Sequence, residues 1–283
     1  MATIKLASGL TIQTYTPPPR FDFGKASQRE RAALGFPLLP KTSSVLRARI
    51  EAIVQKCQLS QPSFLPRAVR RPRVRRFMLQ HAVETQDIWA GGIILPFAGD
   101  TMTWVAGNWT VPSVTPPAGS QDGTSYAIST WVGMDGDDGS SDVLQVGCDA
   151  TVTLSNGIPQ QQCKAWIEWF PLDSQFIGNM PVSSGDLLEC VVRLQAGSNN
   201  SATILFCNRT KNHAQNFSIV AQQGTALSGN CAEWIVESNT SLGPPPTYQP
   251  VTFTNCNAGT AQGATINVGS GNLLNMTDAD DQV

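Results

Sequence analysis

From about residue 85 to residue 254 the sequence alternates polar and apolar residues in short runs separated by turn-forming clusters. Successive side chains of an extended strand point to opposite faces, so this alternation commits each run to a strand. The runs fall at 101–111, 125–134, 142–154, 163–170, 186–195, 202–208, 216–222, 231–237 and 249–254. Ser-Asn-Gly at 155–157, Gly-Ser-Asn-Asn at 197–200 and Gly-Pro-Pro-Pro at 243–246 mark turns between them. No helical pattern intervenes, so the expected fold is all-β, an antiparallel β-sandwich. Composition agrees: charged residues are 14% and there are 24 Gly and 19 Pro, against about 25% charged in an average soluble protein.

The turns also suggest pairings. A hairpin at Asn156-Gly157 would bring Cys148 near Cys163, and one at 197–200 would bring Cys190 near Cys207. Six of the 7 cysteines lie within residues 81–283 and permit three disulfides, with Cys57 left over. Asn-x-Ser/Thr sequons begin at Asn108, Asn199, Asn208, Asn216, Asn239 and Asn275, which leans towards a secreted, extracellular protein. The opening MATIKLASGLTIQTY lacks the apolar stretch of a secretory signal. No stretch of about 18 apolar residues is present, so no membrane partner is expected.

Residues 1–80 read differently. They carry 15 basic residues against 3 acidic ones, whereas residues 81–283 carry 4 against 18, within a net charge of −2. The chain therefore divides into a basic N-terminal segment, 1–80, and an acidic sandwich domain, 81–283, which attract each other. Within the segment, Ser43 or Ser44 caps a helix with Val45, Leu46, Ile50, Ile53 and Val54 on one side. The arginine-rich run 66–77 contains dibasic pairs at Arg70-Arg71 and Arg75-Arg76 and reads as an electrostatic clasp, a processing site or a solvated linker. Nucleic acid is not an expected partner, because phosphate would repel the acidic remainder.

Four strands break the apolar-in, polar-out pattern, and their faces together mix Trp with acids and an amide: Trp131, Gly133 and Asp135; Gln145, Gly147 and Asp149; Trp166, Glu168 and Phe170; Glu233, Ile235 and Glu237. Such a face makes a poor core and a poor plain surface, and reads as a ligand-lined groove. A Ser–His–acid triad finds no support, since His81 and His213 read as surface residues and no GxSxG occurs. The loop 134–142 resembles part of a calcium loop, with Asp135, Asp137, Asp138 and Gly139, but Val146 stands at the twelfth position. Carboxylate chemistry remains, drawn from Glu168, Glu233, Asp135, Asp149 and Glu237.

The stretches NWTVPSV (108–114), STWVGMDGDDGSSDVLQVGCD (129–149), KAWIEWFP (164–171), NCAEWIVES (230–238) and VTFTN (251–255) resemble, in order and spacing, the eqolisins, the glutamic peptidases of family G1. IWAGGI (88–93) is similar to that family's opening strand, with Ile88 where Asn is usual, and residues 20–55 resemble the N-terminal region of some bacterial members. The resemblance implies a concanavalin-like or jelly-roll-like sandwich of two curved antiparallel sheets. It also implies an acid-acting endopeptidase without metal or cofactor. Its catalytic pair falls on Gln145 and Glu233, and its substrate-binding residues on Trp131, Asp135, Asp149 and Glu168. Polypeptides are then the substrates. The basic segment becomes a propeptide that inhibits intramolecularly, and a monomer is expected. The chain is also expected to stop, at LLNMTDADDQV, before the last strand or two of its relatives, leaving an open sheet edge.

The chemistry is consistent with that reading. An ionised Glu233 can take a proton from water and return it to the leaving nitrogen, while a Gln145 N–H stabilises the oxyanion at any pH. A free Glu has a pKa of about 4.3, so the base is part ionised in mild acid, and neighbouring acids raise carboxyl pKa values by repulsion. Two alternatives stand beside it. A carbohydrate-binding module or glycosidase would stack sugars on Trp131, Trp166, Trp169 and Trp234 and use Glu168 with Glu233. A non-catalytic eqolisin relative is the other.

Overall fold

The computed structural model describes residues 1–16, 18, 21–36, 44–67, 83–86, 89–137, 140–222, 224–238 and 244–276. The dibasic pairs, His81, Ile88, Asp138, Gly139, Ser43 and the Asn239 sequon lie outside these residues.

The N-terminal segment contributes strands β1 (Ala2–Lys5) and β2 (Thr11–Thr14), helices α1 (Gln28–Ala33) and α2 (Ser44–Lys56), and strands β3 (Gln58–Ser60) and β4 (Phe64–Pro66). Then follow β5 (Val83–Gln86), β6 (Trp89–Ile94), β7 (Met102–Thr110), β8 (Val114–Thr115), β9 (Ser125–Asp135), β10 (Val143–Ser155), β11 (Ile158–Phe170) and β12 (Gln175–Ile177). The rest comprises β13 (Leu187–Leu194), β14 (Ser201–Asn208), β15 (His213–Val220), β16 (Ala232–Ser238), β17 (Thr247–Tyr248), β18 (Phe253–Thr260), β19 (Thr265–Asn267) and β20 (Asn272–Met276).

Eighteen of these strands build two nine-stranded sheets, and β8 and β17 pair separately with each other. In the first the order is β1-β2-β15-β14-β13-β7-β18-β19, with β3 also joined to β15; in the second it is β4-β12-β11-β10-β9-β16-β6-β20-β5. All pairings within them are antiparallel except β3 with β15 and β20 with β5. The β10–β11 hairpin turns where the sequence said it would. Asn156 and Gly157 take φ of 51° and 71° between the paired Ser155 and Ile158, the two left-handed residues that a type I′ turn requires.

The inner faces of the two sheets close on one core, with Trp109, Phe206 and Phe217 from the first and Trp169, Trp234 and Leu144 from the second. Gly107 leaves room for the Trp234 indole, which a Cβ there would meet at 2.5 Å. The outer face of the first sheet is covered by α2. Leu46, Ile50 and Ile53 pack on Trp104, Ala106, Val191 and Leu205, while Val45, expected on the same side, is exposed.

Several expectations change here. The N-terminal residues enter both sheets, and Leu10 and Ile12 of the β1–β2 hairpin belong to the main core. Beyond the strands expected up to residue 254, β18 pairs with β7, β19 with β18 and β20 with β6. No S–S bond joins the seven cysteines in this structure. Cys190 stands opposite Phe206 and Cys207 opposite Glu189, a one-residue offset that puts the two sulfurs on opposite faces. Cys148 and Cys163 stand opposite Ala165 and Ala150, two residues out of register. Sequon residues Asn108, Asn208 and Asn216 are buried in strands, so in the folded protein those three are closed to a glycan.

Candidate active site

The outer face of the second sheet carries the mixed residues, and strand register arranges them in rows. One row runs Glu168, Gln145, Gly133, Glu233 and Ile93 across β11, β10, β9, β16 and β6. The next is Trp166, Gly147, Trp131, Ile235 and Gly91, and the third is Lys164, Asp149, Ser129, Glu237 and Trp89. Gln145 and Glu233 thus flank Gly133, two strand spacings apart, or about 9–10 Å between backbones. Gly133 has to be small: a Cβ there would meet Trp131 Cζ3 at 2.9 Å and Gln145 Cβ at 3.2 Å.

Both members of this pair are fully buried. Gln145 Nε2 donates to Glu168 Oε2 at 2.9 Å, which orients the carboxamide and leaves its second N–H for another acceptor. Cys231 Sγ donates to Glu233 Oε1 at 3.1 Å. Gln145 Oε1 and Glu233 Oε2 are buried with no hydrogen-bond partner among the described residues. Buried polar atoms left unpaired are uncommon in folded chains, and each needs an explanation. Burial pushes the Glu233 carboxyl well above its ordinary value; the Cys231 hydrogen bond opposes this, and Asp137, Asp135 and Glu237 add to it.

The other expected site residues divide. Trp131 lies beneath the pair, with Nε1 donating to Glu237 Oε2 at 2.9 Å and its ring edge-on to Trp89. Asp135 is fully buried, and its carboxylate accepts from the backbone N–H groups of Ser228, Gly229 and Asn230 at 2.5, 3.0 and 2.6 Å. Burial raises its pKa against the pull of those amides. Asp135 therefore anchors the turn that leads into Cys231 and Glu233. His213 sits on the other sheet, where Nε2 meets Ser60 Oγ at 2.8 Å. Among the described residues no three His, Cys, Asp or Glu side chains gather as a metal site.

Asp149 holds a residue that the sequence did not single out. Arg67, 4% exposed, reaches the face from the end of β4. Its Nε and Nη2 donate to the two Asp149 oxygens at 2.9 and 2.6 Å, and Nη2 also to Ser129 Oγ at 3.2 Å. The guanidinium lies 4.1 Å from the centre of the Trp166 ring. Nothing in the arginine-rich run distinguishes Arg67 from its neighbours, and only the pairing of β4 with β12 delivers it. Cys231 was visible only as a possible disulfide partner. Ser129 could have been found, because it alternates with Trp131 and Gly133 on the same face.

A two-sheet sandwich with a carboxamide and a carboxylate on its acidic, Trp-lined face has the form of a β-sandwich peptidase. Residues 87–283 match the Peptidase A4 family, and the chain belongs to it: it is an eqolisin, a glutamic endopeptidase. It is 29% identical over 262 residues to aspergillopepsin-2 of Aspergillus niger, covering 87% of each chain. Scytalidopepsin B of Scytalidium lignicola is 26% identical over 245 residues, covering 80% of this chain and 87% of that one. The fold is shared with scytalido-glutamic peptidase in complex with a transition-state analogue inhibitor, at a TM-score of 0.55 and 24% identity over 69% of this chain and 90% of that one.

Proposed function

We propose that this endopeptidase cleaves polypeptides in acid with Glu233 as general base and acid and Gln145 as oxyanion donor. The observation that carries it is the row Gln145–Gly133–Glu233, in which each flanking side chain keeps a buried oxygen unpartnered. Glu233 Oε2 takes a proton as water attacks the scissile carbonyl. The free N–H of Gln145 donates to the oxyanion, and Glu233 then passes its proton to the leaving nitrogen. Trp131, Glu168 and Asp149 line the substrate channel, and Asp135 acts from behind by holding the 228–230 turn.

The basic N-terminal segment is read as an intramolecular inhibitor, because Arg67 occupies the channel face two rows from the pair. The buried pair of Arg49 with Glu189 holds the same segment elsewhere. The base must be ionised and burial raises its pKa, so activity falls off in strong acid from a limb above the roughly 4.3 of a free glutamate. The expected profile is a bell. Secretion fits this reading, as does action as a monomer.

The sugar reading loses support. Glu168 and Glu233 stand three strand spacings apart, roughly 14 Å at the backbone against the 6.5–9.5 Å of inverting glycosidases. Trp169 and Trp234 lie in the inner core, not on the face. The test is cleavage of an unfolded protein from about pH 2 to 7. Gln145→Ala should cost about 10²–10³ in kcat, and Glu233→Ala should abolish turnover. Full activity in either variant would overturn the assignment.

A further inference from the structure

Cys231 stands two residues before Glu233, on the same side of the strand, and is fully buried among Ile93, Ile235 and Trp131. Its position does not depend on Glu233. The Cys231 carbonyl accepts from Asp135 N–H at 3.1 Å, and the turn before it is tied to the Asp135 carboxylate by three amides. From this fixed point the thiol donates to Glu233 Oε1 at 3.1 Å, while Oε2 has no partner among the described residues. We propose that Cys231 is a positioning residue that holds one carboxylate oxygen of Glu233 so that the other faces the attacking water. This rests on the reading of Glu233 as base.

Burial holds the thiol well above its ordinary pKa, so it remains a donor across the working range. The groups that act on Glu233 are Cys231 and Glu237 on its own strand, Asp135 and Asp137 at the end of β9, and Gln145 beyond Gly133; its other cross-strand neighbour, Ile93, is apolar. The Cys231 hydrogen bond opposes the upward push.

The test is kcat and KM against pH for the full chain, with Cys231→Ala, Cys231→Ser and Glu233→Ala. Cys231→Ala should lower kcat about tenfold, the loss of one hydrogen bond to a charged group, with KM unchanged and the acid limb moved up. Cys231→Ser, a stronger donor, should restore kcat and place the limb at or below that of the wild type. A wild-type kcat and limb in Cys231→Ala, with Glu233→Ala inactive, would sink the proposal alone. Should the alanine variant not fold, a limb in Cys231→Ser above that of the wild type overturns it. An active Glu233→Ala takes down the reading of Glu233 itself.

A second inference rests on a separate pair. Cys57, at the end of α2, and Cys207, on β14, are both buried and place their sulfurs 3.0 Å apart. Cys57 is held on both sides, by its N–H to Ile53 O and by Gln58 N–H to Asn212 O. We infer that this pair is a disulfide site that staples the N-terminal segment to the sandwich. As the chain folds, each thiol gives up its hydrogen and an S–S bond forms between them. A low-molecular-weight disulfide is the oxidant, reduced to two thiols. A cut anywhere beyond Arg67 would then leave the inhibitory strand tethered.

The check is to refold the full chain in oxidised and reduced glutathione, block free thiols under denaturing conditions and map peptides without reduction. A peptide joining Cys57 to Cys207, absent from Cys57→Ser, is the expected result. Recovery of both as alkylated thiols, or of Cys207 joined elsewhere, would overturn it.

Discussion

At the residue scale, the site depends on side chains that are small or held. Gly133 admits Trp131, Glu168 turns the Gln145 amide, and Asp135 spends its carboxylate on three backbone amides. On the proposed reading of the N-terminal segment as an inhibitor, replacing Arg67 separates inhibition from catalysis. Arg67→Ala leaves Asp149 and Ser129 in place and should raise peptide binding near neutral pH, flattening the alkaline limb of the activity profile. An unchanged neutral-pH KM, measured before any cleavage of the segment, would remove Arg67 from the inhibitory role. Much of this scale was legible. Alternation placed Trp131, Gln145, Glu168 and Glu233 on one face, and register then set Gln145 and Glu233 on either side of Gly133. Arg67 was not legible, because a long-range strand pairing selects it from a run of equivalent arginines.

At the element scale, α2 shields an apolar patch of the first sheet, where Ile53 is fully buried against Trp104 and Leu205. Truncating it opens a cavity that neighbouring strands cannot close. Ile53→Ala should cost about 2–5 kcal/mol in chemical denaturation; a loss well below that range would mean α2 is loosely held. The same packing makes deletion a poor way to free the active site. Removing residues 1–80 takes Leu10 and Ile12 from the core and uncovers Trp104, Ala106 and Val191. That variant is expected to aggregate when made directly, whereas Arg67→Ala stays soluble; gel filtration of the two decides it. The helix was readable from its spacing. The N-terminal strands were not, because β1 to β4 are short and take their stability from the sheet edges they join.

At the scale of the whole molecule, the carboxyls of Asp135 and Glu233 are both raised by burial. A carboxyl whose folded pKa lies above its unfolded one contributes stability that is complete below the unfolded pKa and is lost as pH rises through the folded value. Thermal stability should therefore decline as pH rises above about 4, at no more than about 1.4 kcal/mol per pH unit for each group. Glu233→Gln should flatten that slope, and identical slopes in a melting series would contradict it. Local sequence was enough for the long central strands, the sandwich class, the acidic Trp-bearing face and the charge contrast between the two parts of the chain. Each is written in local periodicity or composition, which needs no knowledge of distant neighbours. Only the tertiary structure decided that Cys207 meets Cys57 and not Cys190, that Asp135 serves a turn, and that Arg67 sits on Asp149. Those contacts join residues far apart in the chain, and one residue of register is enough to send a side chain to the other face.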